Sequence, residues 1–157
     1  MSSYLNIYLQ PKKSRKTYGF DNEGVHTEKT VELSQGLPML LISYSRSSDI
    51  YTAFNDSLNP VYAGMETAYT ELTESKCKSV IAYIEDDVAK AEKRLEIDYK
   101  ILKEAGYNSE LSDDIHSIEE YVREQKECIN SIRGIYDIVY DCEEGYCDFE
   151  KVLINIT

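Results

Sequence analysis

Glu85, Asp86, Asp87, Glu92 and Glu96 crowd one stretch of the chain, and Glu119, Glu120, Glu124 and Glu127 crowd another. Carboxylates repeated along a rigid support imitate the regular charge of a nucleic acid duplex. The chemistry they offer is occupation of a basic, nucleic-acid-binding groove on another protein. The same residues also read as the solvated face of a helical pair, partly neutralised by the interspersed Lys90, Lys93, Arg94, Lys100, Lys103, Arg123 and Lys126.

Two cationic constellations offer the opposite chemistry. In Ser43-Tyr44-Ser45-Arg46-Ser47-Ser48, hydroxyls and a guanidinium stand where a strand hands over to a helix, so Arg46, Ser47 and Ser48 together with free helix amides suit a phosphate or carboxylate. Ordinary N-capping by Ser47 or Ser48 accounts for the same residues. Lys12, Lys13, Arg15 and Lys16, flanked by Tyr18 and Phe20, form the strongest basic cluster. They suit a nucleotide phosphate, or simply a solvated loop.

Other chemistry has less to stand on. Cys142 and Cys147 flank Glu-Glu-Gly-Tyr, but no second Cys or His pair completes a zinc set, so neither metal nor cofactor is expected. His26 and His116 are isolated from each other, and the chain holds no phosphate-binding glycine loop, nucleophile elbow or zinc-protease helix. An enzyme is not expected.

The elements that carry the acidic residues follow from periodicity. Cys77, Ile81, Ile84, Val88, Ala91, Leu95, Asp98 and Leu102 form one heptad seam, and Ile115, Ile118, Val122, Gln125, Ile129, Ile132, Tyr136 and Val139 a second. Gly106 suits the C-cap between them, and Ser109 or Ser112 the next helix start. So short a link makes the helices antiparallel and sets Leu95 near Val122, Val88 near Ile129 and Gln125 near Ala91. A coiled-coil arm over residues 61–146 is the expectation.

The rest supplies strands. Residues 4–9, 25–33, 38–45 and 149–156 predict a small antiparallel sheet, with 38–45 as its central strand because it is the most continuously apolar run. Residues 12–24 read as a loop. A helix is expected after Asp49 and another from about Pro60 through Leu72. The fold class is α+β in a single domain, with 1–60 and 147–157 as the sheet body.

The net charge is −12, divided as +2 over residues 1–46 and −14 over 47–157. Acid concentrated on the helices is repelled by phosphates and anionic lipid, so direct duplex DNA binding and membrane association are not expected. Tyrosine is over-used, at 14 against 3 Phe and no Trp, which suits core margins and binding surfaces. The N-terminus is too polar for a signal peptide, and a cytoplasmic setting is expected.

YLNIYLQPKK and PMLLISYSRSSDIYTAF resemble the opening of small uncharacterised proteins encoded by phages and prophages of Gram-positive bacteria. The resemblance covers about the first third and transfers no catalytic residue. It implies a setting in which small acidic accessory proteins inhibit host defence, anti-CRISPR proteins among them. The expected function is thus a non-enzymatic phage protein that inhibits a host nucleic-acid-handling complex through its acidic helices. Alternatives are an assembly protein that homodimerises through the arm and a small-anion or nucleotide binder.

Overall fold

The computed structural model describes residues 3–33, 36–58, 69–140 and 148–157. The elements run β1 (Tyr4–Pro11), β2 (Ser14–Phe20), β3 (His26–Glu32), β4 (Met39–Ser45), α1 (Asp49–Leu58), β5 (Thr70–Glu71), α2 (Glu74–Ala105), α3 (Ser109–Tyr140) and β6 (Phe149–Ile156). The fold is α+β, with both long helices inserted before the last strand, as the sequence predicts.

Four strands make one antiparallel sheet in the order β4-β1-β6-β5. Alternation sorts its faces. Leu5, Ile7 and Leu9 of β1 pair with Ile156, Ile154 and Val152 of β6, and these residues turn toward the helices. They meet Phe54 and Ala53 of α1, Val80 and Ile84 of α2 and Ile132 of α3 in one continuous core. On the opposite face Asn6 donates to Asn155 Oδ1 at 3.0 Å and to Thr157 Oγ1 at 2.8 Å, while Ser43 Oγ donates to Asn6 Oδ1 at 2.7 Å. This network satisfies two buried amide side chains across three strands.

Sheet order differs from the sequence expectation in two ways. The apolar run of β4 forms an edge strand, not the central one; β1 and β6 take the centre. An unbroken apolar run reports that a strand can be buried on both faces, but not which strands flank it, and Met39, Leu40, Leu41 and Ile42 are in fact between 38 and 53 % exposed. The predicted strand 25–33 does not join this sheet. It appears as β3 and pairs instead with β2, inside the segment read as a loop, in a separate two-stranded ribbon running from Ser14↔Glu32 to Phe20↔His26. β-Branched and aromatic residues at Thr17, Tyr18 and Phe20 sustain β2 despite Arg15 and Lys16.

β1 passes into β2 across Lys12-Lys13 alone. Because β4 pairs with β1 while β3 pairs with β2, the ribbon prolongs the β1–β4 pair beyond the sheet. Leu33 N donates to Lys13 O at 3.0 Å and Lys12 N to Asp148 O at 2.7 Å, which tie its root. Among the described residues the packing of the ribbon is essentially between its own two strands. At its tip Phe20 meets His26 edge-on with centroids 5.5 Å apart, and Phe20 is 75 % exposed.

The helical hairpin begins at Thr73, whose hydroxyl accepts from Lys76 N at 3.2 Å. Leu72 therefore does not belong to a helix leading into the arm. It is extended, donating to Val152 O at 2.8 Å just after β5, which pairs with β6. The predicted helix over 60–68 lies outside the described residues. α2 ends at Gly106, where φ of +82° favours glycine and Gly106 N donates to Leu102 O. Asn108, not Ser109 or Ser112, opens α3: its Oδ1 accepts from Glu110 N at 3.0 Å and Leu111 N at 3.2 Å.

Ile84, Val88, Leu95, Ile115, Val122, Gln125, Ile129 and Ile132 are buried along the seam, as expected. Toward the sheet the buried set widens to Val80 and Ile135, because there α2 also packs against α1 and α3 against β6. The stacked rings of Tyr136 and Tyr140, 4.3 Å apart, lead to a hydroxyl that receives Val152 N at 3.3 Å and lies 3.3 Å from Glu71 Oε1. No described helix is long and apolar enough to cross a membrane.

Candidate functional site

The two flanks of the helical hairpin differ in how their carboxylates are matched. On one flank acid is answered by base. Glu85 meets Arg133 at 3.6 Å and Glu92 meets Lys126 at 3.1 Å, both between helices. Arg123 holds Glu127 at 3.0 Å and Glu120 at 3.6 Å. Glu119 takes a hydrogen bond from the Tyr99 hydroxyl, which raises that phenol above its ordinary pKa. A shallow groove of about 440 Å³, lined by Glu92, Leu95, Val122, Arg123 and Lys126 among others, runs here between the helices.

The other flank lies where α1 packs against α2 and α3. Asp49 and Asp56 of α1, seven residues apart, share a helical face. The Tyr83 hydroxyl donates to Asp56 Oδ2 at 2.8 Å. That bond, followed by burial and the nearby charges of Asp56 and Asp87, pushes the Tyr83 phenol up to about 12. Burial raises Tyr121, with Asp87 and Asp49 adding to it, and burial raises the Cys128 thiol, with Asp49, Glu124 and Glu127 adding to it. On the β4 side burial raises Tyr44, with Cys128 contributing.

These mutual influences place Asp49, Asp56, Asp87 and Glu124 around Tyr83, Tyr121 and Cys128 in one acidic, aromatic surface. Among the described residues none of those four carboxylates forms an ion pair with lysine or arginine; Lys90, close enough to feel Asp87, bonds Asp86 at 3.1 Å. Tyr83 is raised first by its hydrogen bond to Asp56, and Tyr121 and Cys128 first by burial, with neighbouring carboxylates adding to each. Such a surface attracts a cationic partner, and the tyrosines supply contact area with polar tips.

The nine predicted partner-binding carboxylates are thus divided. Asp87 and Glu124 belong to the unmatched flank, with Glu127 close to Cys128 as well. Asp86, Glu85, Glu92, Glu120 and Glu127 are in ion pairs, Glu119 bonds Tyr99, and Glu96 is exposed. Asp49, Asp56, Tyr83 and Tyr121 were not identified from sequence. The seven-residue spacing in α1 and the position of Tyr83 and Tyr121 one residue before seam residues were the available signals, but neither says which flank α1 covers.

The predicted anion-binding residues are not brought together. Arg46, Ser47 and Ser48 sit beside the Tyr4 end of β1, where Arg46 N donates to Ser3 O, and Lys12 and Lys13 follow its other end. Ser48 Oγ is used as an N-cap, accepting from Tyr51 N at 3.2 Å, and Ser47 Oγ lies 2.9 Å from Ser45 Oγ. Lys16 pairs with Glu28 at 3.0 Å across the ribbon, and the Arg15 side chain lies outside the described residues. Cys142 and Cys147 also lie outside them; the described residues contain no His, Cys, Asp and Glu grouping suited to a metal ion.

Compared with family models, with curated proteins and with solved structures, the chain finds no match.

Proposed function

We infer that this chain is a non-catalytic accessory protein of phage type that binds a host nucleic-acid-handling complex and inhibits it in the cytoplasm. It docks through the unmatched flank of its helical hairpin into a basic groove that otherwise holds nucleic acid. One observation carries the reading: carboxylates on one flank are ion-paired within the chain, whereas among the described residues Asp49, Asp56, Asp87 and Glu124 have no lysine or arginine ion pair beside Tyr83 and Tyr121. Charge left unmatched in the free protein is available to a cationic surface and steers its approach.

The test compares two charge-neutralised proteins. In one, Asp49, Asp56, Asp87 and Glu124 become Asn or Gln; in the other, Glu92, Glu119, Glu120 and Glu127 become Gln. Affinity capture from host lysate is expected to yield a nucleic-acid-binding protein with the native chain and the second variant, and not with the first. Added duplex DNA is expected to compete. Capture that survives neutralisation of the first set, or that duplex DNA leaves untouched, overturns the reading.

A further inference from the structure

β4 is an edge strand built like an interior one. From Pro38 to Ser45 it carries no charge, and Met39, Leu40, Leu41 and Ile42 stand at 38 to 53 % exposure, with one backbone edge unpaired among the described residues in the sheet order β4-β1-β6-β5. Soluble proteins blunt such edges with lysine, proline, a covering element or a bulge. Here the only such device within the strand is the register shift that leaves Leu41 without a Cα partner in β1. The β2–β3 ribbon prolongs the same edge and shares its exposure. A two-stranded ribbon is marginal in water unless something packs on it, and among the described residues little does.

We propose that the β4 edge and the adjoining ribbon are the interface with a second copy of this chain, joined by two-fold antiparallel pairing of β4 with its counterpart into a continuous eight-stranded sheet. Charge selects the occupant. Two molecules of net charge −12 repel wherever their helical surfaces meet, and the region up to Arg46, at +2, is where acid is sparsest, with none in β4 itself. An uncharged strand is compatible with itself in antiparallel register, since no like charges fall opposite each other. A two-fold pair also carries each ribbon past the end of the partner strand. A seven-residue edge is small beside the roughly 1,600 Å² of a standard interface, so each ribbon, lying past the end of the partner strand, adds contact area rather than strand pairing.

The pairing does not depend on the acidic flank, so the two readings fail separately. The test is sedimentation of the full chain across a wide concentration range, with the double variant Leu40→Lys/Leu41→Lys and a control, Ile97→Lys/Ile101→Lys, which charges exposed residues of the helical arm. The native chain is expected at twice 18.1 kDa. The β4 variant should weaken the dimer at least tenfold with unchanged circular dichroism, and the arm variant should leave it intact. Hydrogen exchange gives a second readout: β4 and β3 amides of the native chain gain protection as concentration rises. A monomer at every concentration, a dimer indifferent to the β4 variant, one abolished by the arm variant alone, or β4 protection independent of concentration overturns the proposal.

Discussion

Replacing Asp98 by leucine is expected to make the protein more stable. Asp98 occupies an apolar seam position of α2 and is 4 % exposed. Among the described residues its Oδ2 has no hydrogen-bond partner, and its nearest cation, Arg94 Nε, stands 3.4 Å from Oδ2 and 3.5 Å from Oδ1, at the far limit of a useful contact. An orphaned buried acceptor costs about 1–3 kcal/mol, which the substitution recovers. Against this stands the lost ion pair, whose guanidinium side is 66 % exposed and screened, so its contribution is no more than ~1 kcal/mol. Leucine adds apolar burial between α2 and α3, offset by whatever crowding the extra volume causes. The net expectation is about 1–3 kcal/mol of stabilisation. For a chain of 157 residues this raises Tm by roughly 2–12 °C. Thermal and urea unfolding followed by circular dichroism measure it. Arg94→Ala, which strips the carboxylate of its only cation among the described residues, should shift stability the other way by ~0.5–1 kcal/mol. A leucine variant that keeps its helix content but melts at or below the native temperature would refute the claim that this seam holds a poorly compensated carboxylate.

Other expectations follow from single groups. Gly106→Ala places a side chain at φ +82° and should cost ~1–2 kcal/mol in urea unfolding, with the loss reported by the arm. Asn6→Ala leaves the buried Asn155 amide short of a partner and should cost about 1–3 kcal/mol, whereas Ser43→Ala, which removes only one donor to Asn6, should cost less. The Cys77 thiol is raised to about 11 by burial and then by Asp137. It stays protonated when the unfolded chain has begun to ionise, so its contribution to stability is complete below pH 9 and is lost as pH rises through 11. Stability measured from pH 8 to 11 should therefore fall, and fall less in Cys77→Ala. In a spectrophotometric titration Tyr83→Phe should remove one of the last phenols to ionise; removal of an early one would contradict the Tyr83–Asp56 bond.

Local chemistry was legible in the sequence, and long-range pairing was not. The helical hairpin could be read because a heptad seam and a positive-φ glycine are written within one or two turns of helix, and Ile84, Val122 and Gly106 occupy the expected places. β1, β4 and β6 could be read as strands for the same reason. Their neighbours could not: whether β4 lies between two strands or at an edge is settled by what β6, some 110 residues later, does. The basic run from Lys12 to Lys16 that leads into β2 read as a loop because charge correlates with exposure, and the ribbon is indeed exposed, yet an exposed strand is still a strand. The candidate site follows the same division. Asp87 and Glu124 were identifiable as acidic and off the seam. Their separation from Glu92 and Glu120 depended on where Lys126, Arg123 and α1 come to rest, which no short-range pattern encodes.

The hydrogen bond between Asn6 and Asn155 joins positions 149 residues apart, so the centre of the sheet closes a very long loop during folding. Loop closure is an entropic barrier that slows assembly of such contacts. The helical hairpin shortens that search. Once α2 and α3 have folded back on the turn at Gly106, the end of α3 returns to β5, as the Tyr140–Glu71 contact shows. Most of the intervening chain is then already compact. The hairpin thus serves as a kinetic shortcut as well as a platform. Changes at its turn should slow refolding by more than they hasten unfolding, whereas changes in the ribbon should leave the refolding rate alone.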